Sequence, residues 1–124
     1  MYTNKLKQIE HTIQNYFEGI FYGDVSKLKS SFTTEALLYG DVGETPYRKG
    51  LDDYLEGVKN RKSPKALGET FAMQVLGIEV LGKIATAKLH VPMLGFNYYD
   101  YLSLVMVNDE WKIVNKLFTH VEQN

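Results

Sequence analysis

The sequence contains no cysteine, few prolines, no long apolar run and almost no net charge. The lack of cysteine excludes disulfide bonds, thiol catalysis and thiolate metal sites. A net charge of −1 provides none of the positive potential with which proteins bind nucleic acid or an anionic membrane. No segment approaches the roughly 18 apolar residues of a membrane span, and the polar N-terminus lacks the apolar core of a secretory leader. These absences predict a cytoplasmic protein with neither a nucleic-acid nor a membrane partner.

The composition indicates a folded protein that is rich in aromatic rings. The 124 residues fit one domain, predicted to span residues 1–124. Apolar residues at 44% and charged residues at 23% are typical of soluble globular proteins. Aromatic residues make up 13% of the chain. Either a core packed with rings or a pocket lined by them explains that content.

The first half of the chain has the pattern of helices. Apolar residues recur at three- and four-residue spacing from Asn4 to Tyr22, which predicts an amphipathic helix. Gly23 ends it, and Asp24 can cap a short second helix that extends to Phe32. A short strand over 36–41, a turn with a second short strand, and a third helix from residue 51 are predicted to follow.

The second half has the pattern of strands. Four segments rich in β-branched and aromatic residues are predicted strands, at 69–81, 84–94, 96–107 and 110–120. Three short turns separate them, which predicts an antiparallel meander. A change of apolar parity beside Gly77 predicts a bulge. Helices followed by a long meander predict an α+β fold in which the helices cover one face of the sheet.

Several stretches resemble the nuclear transport factor 2-like superfamily, and within it the bacterial subgroup described as putative lumazine-binding or SnoaL-like proteins. The matching stretches are "IQNYFEGIFYGDVSKLKSSF" at 13–32, "ALLYGDV" at 36–42, "LDDYLEGVKNRKSP" at 51–64 and "DYLSLVMVNDEWKIVNK" at 100–116. The resemblance implies a cystatin-like cone, in which a strongly curved, mixed but mostly antiparallel sheet wraps around three helices. It also implies a pocket at the open end and a homodimer formed through the outer sheet face. Function does not follow from this fold, because it hosts enzymes, ligand binders and transport adaptors.

The resemblance extends to ketosteroid isomerase, which has the same cone. That enzyme uses an aspartate base with an oxyanion pair formed by a tyrosine and a protonated aspartate. Tyr16 is similar to its tyrosine, and Asp100 to its protonated aspartate. Gly40 stands at the position of the base, with Asp41 beside it. A shift of one residue along a strand reverses the direction of the side chain, so Asp41 reaches the pocket only if a bulge turns it inward.

Asp100 lies in "GFNYYDYLSL", a run that otherwise has the pattern of a buried strand. A carboxylate there has three possible roles: it accepts a hydrogen bond from a nearby tyrosine hydroxyl or lysine ammonium, it binds a ligand, or it moves a proton. Asn115 points into the cone if Trp111 and Ile113 face the helices and alternation continues. Its amide then offers a donor and an acceptor to the imide edge of a flavin or lumazine ring. The candidate ligand-binding residues are Tyr16, Phe17, Tyr54, Asp100, Trp111 and Asn115, and the candidate catalytic residues are Tyr16, Asp41 and Asp100.

No cofactor or metal is expected. The three histidines lie on different predicted elements without metal-ligand spacing, and the glycines have no phosphate-loop pattern. The first hypothesis is a dimeric, cofactor-free protein that binds a planar, mostly apolar small molecule. The second is a cofactor-independent isomerase or cyclase in which Asp41 or Asp100 moves a proton. The third is a dimeric protein-interaction module that uses its outer sheet face.

Overall fold

A computed structural model describes the backbone of residues 2–122 and the side chains of residues 4–122. Three helices and six strands form an α+β fold. The helices are α1 (Tyr2–Tyr22), α2 (Val25–Ser31) and α3 (Leu51–Asn60). The strands are β1 (Phe32–Val42), β2 (Thr45–Gly50), β3 (Gln74–Leu81), β4 (Ile84–Met93), β5 (Phe96–Val107) and β6 (Glu110–His120).

The three helices form in the regions where the sequence predicts them, and α1 ends at Tyr22 as expected. Ile9, Ile13 and Ile20 of the α1 stripe are fully buried against the sheet, as an amphipathic helix requires. Gly23 adopts a positive φ of 68° and ends α1, and the Asp24 carboxylate accepts a hydrogen bond from the backbone N–H of Lys27. That bond satisfies one of the free donors at the start of α2.

The six strands form one mixed sheet in the order β2-β1-β6-β5-β4-β3. The predicted meander is confirmed, since β3 to β6 pair antiparallel in succession. β1 pairs parallel with β6 and antiparallel with β2. Asn108 and Asp109 both have positive φ in the turn between β5 and β6, the backbone that a two-residue hairpin favours.

Two predicted boundaries are wrong. Phe32 does not end α2 but begins β1, a strand that was predicted to start only at residue 36, because the Phe32 backbone pairs with Ile113 of β6. The strand predicted from residue 69 begins only at Gln74. Two residues before Gln74 make other contacts instead of pairing in the sheet. The Glu69 carboxylate accepts a hydrogen bond from the backbone N–H of Leu94, and the Phe71 ring packs edge-on against Phe21 of α1.

Two bulges decide which side chains face the helices. The register of β3 shifts between Val75 and Gly77, which confirms the predicted bulge. A second bulge was not predicted: Ser103 of β5 pairs with Asn115, but Leu104 pairs with Ile113. Val114 is therefore the extra residue of β6, and alternation reverses beyond it.

Candidate functional site

Asp100 lies inside the cone. Tyr98, Asp100 and Leu102 alternate inward along β5 and are buried, whereas Tyr101 is exposed. The Asp100 side chain is only 2% exposed. The hydroxyl of Tyr16, from the middle of α1, donates a hydrogen bond to Asp100 Oδ2 at 2.5 Å. The carboxylate that interrupts this apolar strand is thus a buried acceptor for a tyrosine on the facing helix.

Burial dominates the electrostatics of this pair. Burial raises the pKa of the Asp100 carboxyl, while the Lys116 ammonium and the hydrogen bond from Tyr16 oppose the rise. Burial also raises the pKa of Tyr16 well above its ordinary value, and the neighbouring charge of Asp100 adds to the increase. Tyr16 therefore remains a neutral donor, and its proton is directed at Asp100.

The bulge at Val114 brings Lys116 into the same space. Lys116 lies opposite Leu38 of β1 and Leu102 of β5, both of which are buried. Residues directly opposite each other on neighbouring strands share a face, so Lys116 faces inward and is only 5% exposed. Its Nζ lies 5.0–5.1 Å from the ring centroids of three aromatic side chains, Tyr16, Tyr54 and Phe118. Cation–π contact at this distance stabilises a buried ammonium.

Arg61 and Tyr54 contribute polar atoms that have no partner. Tyr54 belongs to α3, and Arg61 follows directly after the last residue of that helix. The Tyr54 hydroxyl and the Nε and Nη2 atoms of Arg61 are buried without a hydrogen-bond partner among the described residues. A buried donor left unpaired costs about 1–3 kcal/mol, and more when it is charged. These atoms are therefore free to hydrogen-bond a group or a water molecule that enters the space beside them.

These side chains line one space, which we call the inner cavity. Its volume is about 50 Å³. Its lining comes from β1, β2, β4, β5, β6, α3 and the residue after α3: Val42, Tyr47, Tyr54, Arg61, Val91, Met93, Tyr98, Asp100, Lys116 and Phe118. Burial raises the pKa of Tyr47 to about 12 and also raises that of Tyr98, so both hydroxyls are protonated at neutral pH.

Three of the residues singled out from the sequence come together here. Asp100 and Tyr54 line the inner cavity, and Tyr16 lies directly behind Asp100. Sequence reasoning missed Lys116 and Arg61. Lys116 could have been found only by anticipating the bulge at Val114, and Arg61 stands in a basic run at a helix end that has the pattern of a solvated surface.

The other candidates lie elsewhere. Phe17 is buried beside the rings of Tyr16 and Phe71. Trp111 is buried against α1, where its carbonyl accepts a hydrogen bond from Thr12 Oγ1 at 2.9 Å. Asn115 lies opposite Ser103 and beside the exposed Leu37, so it belongs to the outer face. The prediction for Asn115 required that Trp111 and Ile113 face the helices, and they do. The bulge at Val114 interrupts the alternation, however, so Lys116 points inward and Asn115 does not.

The geometry provides no base at the position used by ketosteroid isomerase. A Cβ at Gly40 would lie 2.3 Å from the carbonyl oxygen of Phe118 and 2.7 Å from its ring, which leaves no room for a carboxylate. Asp41 does not line the inner cavity. Its Oδ2 instead lies 3.3 Å from Nε2 of His120. Asp100 is therefore the only carboxylate of the cavity lining, and it already accepts a hydrogen bond from the Tyr16 hydroxyl.

The outer face of the sheet carries a second notable surface, which we call the outer apolar face. Leu37, Tyr39, Tyr101 and Leu117 are each about half exposed there. Together with Lys88 and Thr119, three of these side chains line a shallow groove. Contiguous exposed apolar surface of this kind marks an interaction site more often than isolated residues do.

The curved mixed sheet, the three helices and the inner cavity define a protein of the nuclear transport factor 2-like class, with a cystatin-like fold. Solved structures agree. An NTF2-like protein of unknown function from Shewanella baltica superposes with a TM-score of 0.85 at 20% identity, covering 99% of this chain and 98% of that one. One from Methylobacillus flagellatus gives a TM-score of 0.86 at 20% identity, covering 96% and 94%. A protein from Streptomyces avermitilis, described as a putative dehydratase of the NTF2-like family, gives 0.68 at 14% identity, covering 99% and 100%.

The chain belongs to the family described as "Putative lumazine-binding", whose model matches residues 4–119. That match includes every residue that lines the inner cavity. No curated protein matches the chain. Within residues 2–122, none of the helices has the length and hydropathy needed to cross a membrane.

Proposed function

We propose that this protein binds a small molecule through the inner cavity. The observation that carries the proposal is the convergence of buried polar groups that lack partners, the Tyr54 hydroxyl and Arg61 Nε and Nη2, on a space walled by apolar side chains. Binding sites typically combine such walls with a few oriented polar groups. The family description agrees with ligand binding.

The ligand we propose is planar and mostly apolar, of the lumazine or flavin type. Tyr47, Tyr98 and Phe118 offer ring surfaces for a flat molecule, and Asp100 and Lys116 offer an acceptor and a donor. A cavity of about 50 Å³ is far below the roughly 300 Å³ that drug-sized ligands occupy. One polar edge of the ligand therefore enters the cavity, and the ring system lies against Met93 and Phe118, which are only half buried. Methionine adapts its shape readily.

The test begins with native mass spectrometry of the freshly purified protein, followed by denaturing extraction of any bound molecule. Lumazine and riboflavin are then titrated into 15N-labelled protein. We expect the backbone amides of Tyr54, Asp100 and Lys116 to shift. The variant Asp100→Asn should weaken binding of these ligands about tenfold, because a carboxyl oxygen that accepts hydrogen bonds in the lining is replaced by an amide donor.

Asp41→Asn is the matched control, since it removes a carboxylate that lies outside the cavity lining. Equal loss of affinity in both variants would contradict a role for Asp100. The absence of any co-purified molecule, together with unshifted cavity amides, would refute the proposal for these ligands. Turnover of an enolisable ketone that disappears in Asp41→Asn would favour an isomerase instead.

We further propose that the protein forms a homodimer through the outer apolar face. The exposed Tyr39, Tyr101 and Leu117 support this, and the family resemblance leads to the same expectation. Light scattering coupled to size exclusion should give twice the chain mass for the wild type. Leu117→Glu should give the chain mass, because a charge in the centre of a dimer interface is strongly unfavourable. A wild-type monomer, or an unchanged Leu117→Glu dimer, would refute this interface.

A further inference from the structure

We infer that the inner cavity is an anion site: Arg61 and Tyr54 bind a planar group with two acceptor oxygens, a carboxylate, through which the ligand is anchored. This inference rests on the proposed binding function and refines the ligand: a flat molecule that carries a carboxylate, a group that lumazine and riboflavin lack, enters the cavity by its carboxylate end.

The free atoms of Arg61 are the two that form one edge of its guanidinium. Nε–H and Nη2–H point the same way, and this pair of parallel donors matches the two oxygens of a carboxylate. Both atoms are buried and unpaired among the described residues. The Tyr54 hydroxyl, also buried and unpaired, belongs to the same cavity lining. Three donors thus border the cavity, and none of them has an acceptor within hydrogen-bond distance among the described residues.

The charges of the lining do not balance. Arg61 and Lys116 are cations, and Asp100 is the single carboxylate that lines the cavity. Asp100 already accepts a hydrogen bond from the Tyr16 hydroxyl, and the charge of Lys116 partly offsets the increase that burial causes in its pKa. The ion pairs formed by described side chains involve neither Arg61 nor Lys116. An anionic ligand group would therefore neutralise one cation that the protein leaves uncompensated, and a buried charge without a partner is unfavourable.

Arg61 also acts on the interior of the cone. Its positive charge lowers the pKa of Tyr16, Tyr47 and Tyr98, partly offsetting the increase caused by burial. The cavity volume of about 50 Å³ also fits, because a water molecule takes about 30 Å³ of liquid and a carboxylate is only modestly larger. The polar end of the ligand fills the cavity, and the rest of the molecule remains outside it.

The experiment compares each carboxylate with its neutral, isosteric amide: acetate with acetamide, and benzoate with benzamide. Binding is followed by NMR through the side-chain Nε–H signals of the two arginines, Arg48 and Arg61. We expect benzoate to bind at least about tenfold more tightly than benzamide, because hydrogen bonds to charged groups are the stronger ones. The Arg61 Nε–H signal should move downfield with the carboxylates and stay in place with the amides.

Arg61→Gln should reduce the ratio of carboxylate to amide affinity to about one. Arg48→Gln makes the same change of charge at an exposed position of β2 outside the cavity lining, and should leave the ratio unchanged. Circular dichroism verifies that both variants fold. Tyr54→Phe provides a second measure: it removes one donor without altering the charge, and it should cause a smaller loss of carboxylate affinity than Arg61→Gln.

Equal binding of acid and amide, or a carboxylate preference that survives in Arg61→Gln, would overturn the anion site while leaving the binding proposal intact. A preference lost equally in Arg48→Gln would also overturn it, since the effect would then be one of overall charge. If no acid or amide binds, the anion site is refuted, and the lumazine and riboflavin titration decides separately whether the cavity binds a ligand.

Discussion

The buried pair of Tyr16 and Asp100 supports a prediction whose sign depends on pH. Tyr16→Phe removes the hydroxyl that donates to Asp100 Oδ2 at 2.5 Å and changes little else, because the ring and its packing remain. Asp100 then lies in the core with one donor fewer. We expect a large loss of stability at neutral pH and a small one in acid.

The magnitude follows from the charge state of Asp100. A hydrogen bond to an ionised group contributes about 1.5–3 kcal/mol, and one between neutral groups about 1 kcal/mol. At pH 7.5 we expect the free energy of unfolding to fall by roughly 2 kcal/mol, which lowers the Tm of a domain of this size by roughly 8 °C. At pH 4.5 the loss should be nearer to 1 kcal/mol, because a larger share of Asp100 is protonated.

The direction of the pH dependence is set by the raised pKa of Asp100 in the folded state. The folded protein binds the proton of the Asp100 carboxyl more tightly than the unfolded chain does, so this protonation stabilises the fold. Its contribution to the free energy of unfolding is fully present below the unfolded pKa of about 3.9. That contribution is lost as the pH rises through the folded pKa. The Tyr16 hydrogen bond lowers that pKa, so its removal in Tyr16→Phe raises the pKa and extends the loss of stability to higher pH.

Urea unfolding at the two pH values, followed by the fluorescence of Trp111, measures this difference. Trp111 is buried and does not line the inner cavity, so its signal reports global unfolding. Tyr22→Phe is the matched control, because Tyr22 lies on the same helix as Tyr16 and is 56% exposed. The reasoning is refuted if Tyr16→Phe costs no more than Tyr22→Phe, or costs the same at both pH values.

Three further predictions concern Lys116 and two glycines. Lys116→Met should raise the pKa of Asp100, because it removes the ammonium charge that lowers this pKa. It should also reduce the free energy of unfolding at pH 7.5 by about 2 kcal/mol. An Asp100 carboxyl titration that is unchanged in 13C NMR would contradict this role of Lys116. Gly40→Ala should cost about 1–3 kcal/mol, because its Cβ would overlap Phe118. Gly57→Ala should instead stabilise by about 0.5–1 kcal/mol, since Gly57 lies inside α3 and its Cβ would have space. Thermal unfolding measures both glycine variants, and a shift of the same sign in both would contradict the packing argument.

Much of the fold could be predicted because it depends on local chemistry. The stripe of α1 requires only a period of 3.6 residues and a core to face, and Asp24 caps α2 through a carboxylate three residues from its partner N–H. β5 and β6 have the predicted bounds, because positive φ values at Asn108 and Asp109 suit those residue types. The fold class followed from the order of these elements and from the family resemblance.

The site was less predictable because it depends on side-chain direction. Both faces of β5 carry apolar residues, so its periodicity does not reveal that Asp100 points inward. The prediction for Asn115 assumed unbroken alternation, and a single extra residue, Val114, reversed it. Bulges leave little trace in a strand that lacks glycine.

The sequence by itself determined the three helices, the meander, its turns and the absence of thiol chemistry, since each depends on residues that are close along the chain. The family resemblance had paired Tyr16 with Asp100, and the structure joins them by a hydrogen bond across 84 positions. Only the tertiary structure decided that Lys116 replaces Asn115 inside the cone and that Arg61 joins this pair. Contacts between distant residues depend on register and on the path of the chain, and burial then raises the pKa of Asp100.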